Sequence, residues 1–154
     1  MTENTSVSAT RDIPASAADI FDLLSNPQRH PETDSSGSVR SADFGERLKE
    51  VGDSFRMNMV KGDGSEYQTQ NRVFAIQDGR LIGWQNEKNL TSDVEVGAKW
   101  LYELEPIDAD NTRVTLTYDY AEIENPAVIK LAKETFAKED LLDKSLGTLA
   151  DALA

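Results

Sequence analysis

The chain has 154 residues and a mass of 17.0 kDa, with 38% hydrophobic and 29% charged residues; this predicts one globular domain over residues 1–154 with enough chain to bury a core. Its 16 Lys and Arg against 28 Asp and Glu leave a formal net charge of −12, which repels phosphate backbones and anionic headgroups, so nucleic acid is not an expected partner. Cysteine is absent and His30 is the one histidine, which excludes disulfides, thiolate nucleophiles, cysteine-held metal centres and any scheme needing two imidazoles in one chain.

Met1 to Ser8 is polar and lacks the apolar stretch of a secretion signal, and no run approaches the roughly 18 apolar residues that span a bilayer. A cytoplasmic protein without membrane insertion is the expectation. Val7, Ala9 and Ile13 alternate as a half-buried strand, with Arg11 sharing their phase, and Pro14 ends it. Ser16 is placed to cap a short helix carrying Ile20, Phe21, Leu23 and Leu24, which Asn26-Pro27 stops. Gln28 to Ser38, with Pro31 and Gly37, predicts a short helical turn and then loop.

From Val39 the punctuation is that of an antiparallel sheet. Phe55, Met57 and Met59 alternate with Arg56 and Asn58, and Gly62-Asp63-Gly64 turns the chain. Tyr67 to Ile76 is the next strand, and Asp78-Gly79 is a tight-turn signal into Leu81 to Gln85. Asn86 to Gly97 reads as a long polar connection. Trp100, Tyr102 and Leu104, then Val114, Leu116, Tyr118 and Tyr120, give two further alternating strands joined by the Asp108–Thr112 turn. Asn125-Pro126 starts a helix, with Asn as cap and Pro at the first helical position. At about 100° per residue, Val128, Leu131, Ala132, Leu142, Leu146, Leu149, Ala150 and Leu153 share one stripe, predicting one long amphipathic helix almost to Ala154.

The expected architecture is α+β: a curved antiparallel sheet of about six or seven strands wrapped around a long C-terminal helix, with two short helices after the first strand. Where helix and curved sheet diverge, a pocket is the expected outcome. Four stretches resemble a known family: residues 7–27, Val51-Gly52-Asp53-Ser54-Phe55, residues 100–106 (W-L-Y-E-L-E-P) and residues 112–118 (T-R-V-T-L-T-Y). The chain resembles the START-like, Bet v 1-like (SRPBCC) superfamily, in its polyketide cyclase/dehydrase branch. The resemblance implies a helix-grip fold with a hydrophobic cavity between sheet and terminal helix. It carries no universal catalytic motif, and the superfamily includes lipid and hormone binders, cyclases and chaperone activators.

His30-Pro31-Glu32-Thr33-Asp34 gathers an imidazole and carboxylates, but one histidine and Pro31 argue for loop caps and solvated charges over a metal or acid–base site. No serine sits in a nucleophile elbow, and Gly62-Asp63-Gly64 lacks the Lys-Ser/Thr of a phosphate loop. No catalytic residue, metal or cofactor is therefore assigned.

Trp84, Trp100, Tyr102, Tyr118 and Tyr120, with Phe55, Met57, Met59 and Leu142, read either as core packing or as walls of a ligand pocket. Thr135 and Glu139 fall inside the helix stripe on the same count. An unpaired buried carboxylate is costly, so Glu139 is expected to face a polar cavity, pair with Arg11 or lie at the cavity mouth, unless a bend turns it to solvent. The leading expectation is a monomer or weak dimer that binds a small apolar or amphipathic molecule, lipid-like or polyketide-like. The alternatives are an enzyme of the cyclase or dehydratase type and a pocketless protein-interaction domain.

Overall fold

A computed structural model describes residues 5–33, 39–44, 46–61 and 63–153. Asp34, Gly37 and Gly62, which the sequence assigns to loop or turn, lie outside the described residues.

Strand β1 (Ser6–Ile13) buries Ala9 and Ile13 while Ser8, Thr10 and Asp12 face solvent, as its alternation predicts. Helix α1 (Ala17–Leu24) is capped by Ser16, whose Oγ accepts the Asp19 N–H at 3.1 Å and meets one of the helix's orphan donors. Ile20, Leu23 and Leu24 are its buried face. Beyond Asn26 a 3-10 turn (Pro27–Thr33) takes the place of the second short helix.

Six strands follow as a meander: β2 (Val39–Phe44), β3 (Ser54–Val60), β4 (Glu66–Gln77), β5 (Leu81–Asn89), β6 (Val94–Asp108) and β7 (Asn111–Asp119). Each runs antiparallel to the next, and β1 pairs with β7, so the sheet order is β1-β7-β6-β5-β4-β3-β2. Register shifts at Val73/Ala75, Asn86/Lys88 and Pro106/Asp108 add residues to one strand of a pair, which bends and twists the sheet. This is the helix-grip α+β arrangement.

Two expectations are corrected. The segment read as a long polar connection is ladder: β5 runs on to Asn89, β6 already begins at Val94, and Asn86 pairs with Ala98. Low strand propensity in Asn, Glu and Lys is a weak prior, and hydrogen-bonded neighbours on both sides override it.

The single terminal helix is three pieces. Helix α2 (Pro126–Leu131), capped by the Asn125 side chain, passes into a π turn (Ala132–Phe136), and after Ala137 and an extended Lys138 the chain restarts as α3 (Glu139–Ala152). The Ala137 N–H reaches back five residues to the Ala132 carbonyl at 2.7 Å, so one turn holds an extra residue and the regular α-helical ladder is interrupted there. Leu131, inside the stripe by that count, is 52% exposed.

α3 supplies the helix wall of the core, with Leu142, Leu146 and Leu149 fully buried, and it lies against β1, β7 and the 3-10 turn. Gly147 leaves room for the Arg11 guanidinium, since a Cβ there would stand 2.6 Å from its Nη1. Arg11 reaches over it to the Asp143 carboxylate at 3.2 Å. Among the described residues, no helix is long and apolar enough to cross a membrane.

Candidate functional site

The concave face of the sheet is closed at one end and looser at the other. At the closed end Ile13, Val73, Ile82, Leu104, Val114 and Leu116 are each at most 5% exposed, in one core with Ile20, Leu23 and Leu24 of α1, which approaches β5 and β6. At the other end Met59, Trp84, Val96 and Trp100 of the sheet, with Val128, Ile129 and Phe136 of the helical segment, are only half-buried. The helical segment explains the difference. α3 comes close to β1 and β7, whereas among the described residues α2 and the π turn make no comparable backbone approach to any strand. Long side chains bridge that wider gap.

Two ring clusters fill it. In the first, His30 stacks on Trp84 with centroids 4.6 Å apart and meets Phe55 edge-on at 5.1 Å, while Trp84 also faces Tyr102 at 5.8 Å. In the second, Trp100 packs on Tyr118 at 4.6 Å, and Phe136 descends from the π turn to within 6.1 Å of Trp100 and 6.0 Å of Tyr118. Tyr120 extends this cluster from Tyr118 at 6.3 Å. Paired rings of this kind add about 0.5–1.5 kcal/mol each beyond their burial. Trp84 and Trp100 are direct cross-strand partners, so the two clusters adjoin.

Of the sequence-predicted residues, Phe55, Met57, Tyr102, Tyr118, Tyr120 and Leu142 are buried, and Met59, Trp84 and Trp100 are half-buried at the looser end. Thr135 and Glu139 are not brought to the gap. Both are exposed, Thr135 on the π turn and Glu139 in the first turn of α3. Thr135 points away on the π turn itself, Glu139 stands in the opening turn of α3 ahead of the buried stretch that begins at Leu142, and Arg11 pairs with Asp143 instead of Glu139.

His30 also departs from its reading as a solvated loop residue. It is buried, its Nε2–H donates to the Leu24 carbonyl at 2.7 Å, and burial pushes its pKa down to about 4. Burial, then the nearby Tyr120, pushes the Tyr118 hydroxyl above its ordinary value. Near neutral pH the gap therefore presents a neutral His30 imidazole and a neutral Tyr118 phenol.

A second polar group escaped the sequence reading. Asn71 and Thr69 of β4 are both buried, and the Asn71 Nδ2 donates to the Thr69 Oγ1 at 3.2 Å. Asn86 of β5 is the register partner of Asn71, and its Oδ1 is buried without a hydrogen-bond partner among the described residues. The missed signal was strand phase. Asn86 alternates in step with Ile82 and Trp84, and Asn71 with Val73.

Two hollows lie outside the gap. One, of about 480 Å³, runs beside α1 and includes Phe21, Leu48, Ile76 and the Asp22–Arg47 ion pair. The other, about 560 Å³ and shallow, lies on α2 and the π turn around Ile129, Lys130 and Lys133.

Residues 4–154 match the sequence profile of a family described as polyketide cyclase/dehydrase and lipid transport. An uncharacterized Mycobacterium tuberculosis protein, Rv0088, is 33% identical over 114 residues, 74% of this chain and 47% of that protein. The chain thus spans about half the length of the curated relatives it matches. A Nitrosomonas europaea protein, NE0264, superposes with a TM-score of 0.72 at 16% identity, covering 97% of this chain and 94% of its own. The di-domain ARO/CYC StfQ from the steffimycin biosynthetic pathway gives 0.66 at 17% identity, covering 96% of this chain and 44% of its own.

Proposed function

Because the chain belongs to the polyketide cyclase/dehydrase and lipid transport family, we propose that it binds a small hydrophobic or amphipathic molecule between the concave sheet face and the C-terminal helical segment. The observation that carries this is the gradient along the gap, from a closed end to an end where Met59, Trp84, Trp100 and Phe136 stay half-buried under a segment that stands off the sheet. Large apolar side chains left partly wet at one end of a core supply walls that give when a ligand takes their place. Phe136 is the movable wall, since it sits on a π turn between two helix ends and touches the sheet through its ring.

Binding is favoured over proton-transfer chemistry by the state of the groups in the gap. His30 is held neutral well below pH 7, and Tyr118 is pushed further from it. An acid or base works best with a pKa near the working pH.

Titration with the neutral dye N-phenyl-1-naphthylamine tests the reading. Wild type is expected to enhance its fluorescence saturably, and Phe136→Trp, which narrows the opening, to weaken it about threefold or more without lowering the melting temperature. No saturable enhancement with the folded protein overturns the reading.

A further inference from the structure

The buried polar row in the gap has a chemistry of its own. Asn71 and Asn86 are cross-strand partners, Asn86 pairs in turn with Ala98, and Asn71 is paired with Phe55 of β3. All lie on the face that carries Phe55, Trp84 and Trp100, so the row crosses the concave side near its looser end. The Asn71 Nδ2 is committed to Thr69, which fixes that amide. Among the described residues the Asn86 Oδ1 has no partner, although buried amide groups are normally satisfied.

The row is also uncharged. Three of the cations nearest in sequence are held elsewhere by carboxylates: Arg72 by Glu87, Lys88 by Asp93 and Lys99 by Glu122. Arg56, Arg72 and Lys88 lie out of phase with the row, Arg56 paired with Gln70, Arg72 with Gln85, and Lys88 with Gln70 and Glu95. A ligand carboxylate or phosphate placed here would lose its water without gaining a counter-ion. A hydroxyl would not. It donates to an amide oxygen and accepts from an amide nitrogen, so it satisfies Asn86 whichever way that amide is turned.

We propose that the Asn86 amide, beside the Asn71–Thr69 pair, is a recognition site for a neutral hydroxyl on a ring-shaped apolar ligand. The ligand class is an alcohol or phenol on a flat apolar body lying against Trp84 and Trp100, not a fatty acid or phospholipid head. This rests on the gap being the binding site, and the test separates the two claims.

Three probes share one ring body: 2-naphthol, naphthalene and 2-naphthoate. At about pH 7 the naphthol is neutral, because phenols titrate near ~10, and the naphthoate is an anion. Competition against N-phenyl-1-naphthylamine reads all three. Wild type is expected to bind 2-naphthol about tenfold more tightly than naphthalene, with 2-naphthoate weakest. Asn86→Leu is expected to erase the naphthol preference, keep naphthalene binding and raise the melting temperature, since an unpaired buried polar group is gone. Asn86→Thr, a strand former that keeps one hydroxyl, serves if the leucine variant fails to fold, and is expected to retain only part of the preference. Equal binding of naphthol and naphthalene by wild type, or a preference that survives both variants, overturns the hydroxyl site and leaves the gap standing. Failure of the dye and all three probes to bind overturns both claims.

Discussion

His30 shows how a single side chain can change character between sequence and fold. Flanked by Pro31, Glu32 and Arg29 it has polar company along the chain, yet its ring lies between Phe55 and Trp84 and its Nε2–H is taken by the Leu24 carbonyl. The neighbours that bury it come from β3 and β5, so nothing local announces them. A pH dependence follows. The folded pKa is about 4 against an ordinary 6.5, so below 6.5 the unfolded chain takes up a proton that the folded chain refuses. Stability is therefore complete above about pH 6.5 and falls toward pH 4, at a slope approaching roughly 1.4 kcal/mol per pH unit. The carboxylates of Asp12, lowered chiefly by its hydrogen bond from Arg113, and of Asp53, lowered by the Lys49 and Glu50 backbone N–H groups, give up their contribution only around and below the ordinary 3.8. Urea melts between about pH 7.5 and 5 are expected to show the histidine slope in wild type. His30→Phe keeps the ring contacts, loses the bond to Leu24 and is expected to give a flatter profile from a lower starting value. An equal slope in both proteins would mean that His30 is not the buried titrating group.

The terminal helical segment holds the main lesson at the scale of elements. Asn125 and Pro126 mark its start in sequence, and the structure uses both as read. Leu142, Leu146 and Leu149 were in the right stripe because all three lie on α3, where the α-helical count holds without interruption. Glu139 shares their phase but opens α3 directly after the break at Lys138, so it stands in an exposed first turn ahead of the buried stretch that begins at Leu142. Nothing in A-K-E-T-F-A-K forbids a regular helix, so the interruption is a product of packing Phe136 on the sheet while α3 lies on β1. The break leaves a testable weakness. Lys138 occupies the cap position of α3 in extended conformation and offers no side-chain hydrogen bond. Lys138→Ser supplies the missing acceptor and is expected to stabilise the protein by about 1 kcal/mol. Thermal melts should then rise by roughly 2–4 °C. No gain would place the start of α3 elsewhere.

For the whole molecule, charge and topology act separately. The net charge of −12 is spread over a surface where acids outnumber cations and several cations are tied into pairs such as Arg11–Asp143, Arg113–Asp12 and Lys99–Glu122. Exposed pairs of this kind contribute little to stability, but they engage cations that a phosphate would otherwise attract. In a gel shift at about 150 mM salt, duplex DNA is expected to remain unshifted by micromolar protein. Retention at that salt would reveal a basic surface that the pairing pattern does not contain.

Much of the sheet is legible in the sequence, because β3, β6 and β7 carry period-2 alternation set by their own residues and Asp78-Gly79 marks the turn between β4 and β5. The helix starts at Ser16 and Asn125 were legible for the same reason: a cap is a matter of a few adjacent residues. The aromatic members of the gap followed from strand phase, and their pairing follows from register. What the tertiary structure alone decided is long-range. It buried His30 with partners from distant strands, extended β5 and β6 through residues of poor strand propensity, and broke the last helix between Phe136, which packs on the sheet, and Glu139, which is left in an exposed first turn. Local chemistry sets what each segment can form; which side of a helix is wet, and which polar group is left without water, depends on surfaces that meet only after the chain has closed on itself.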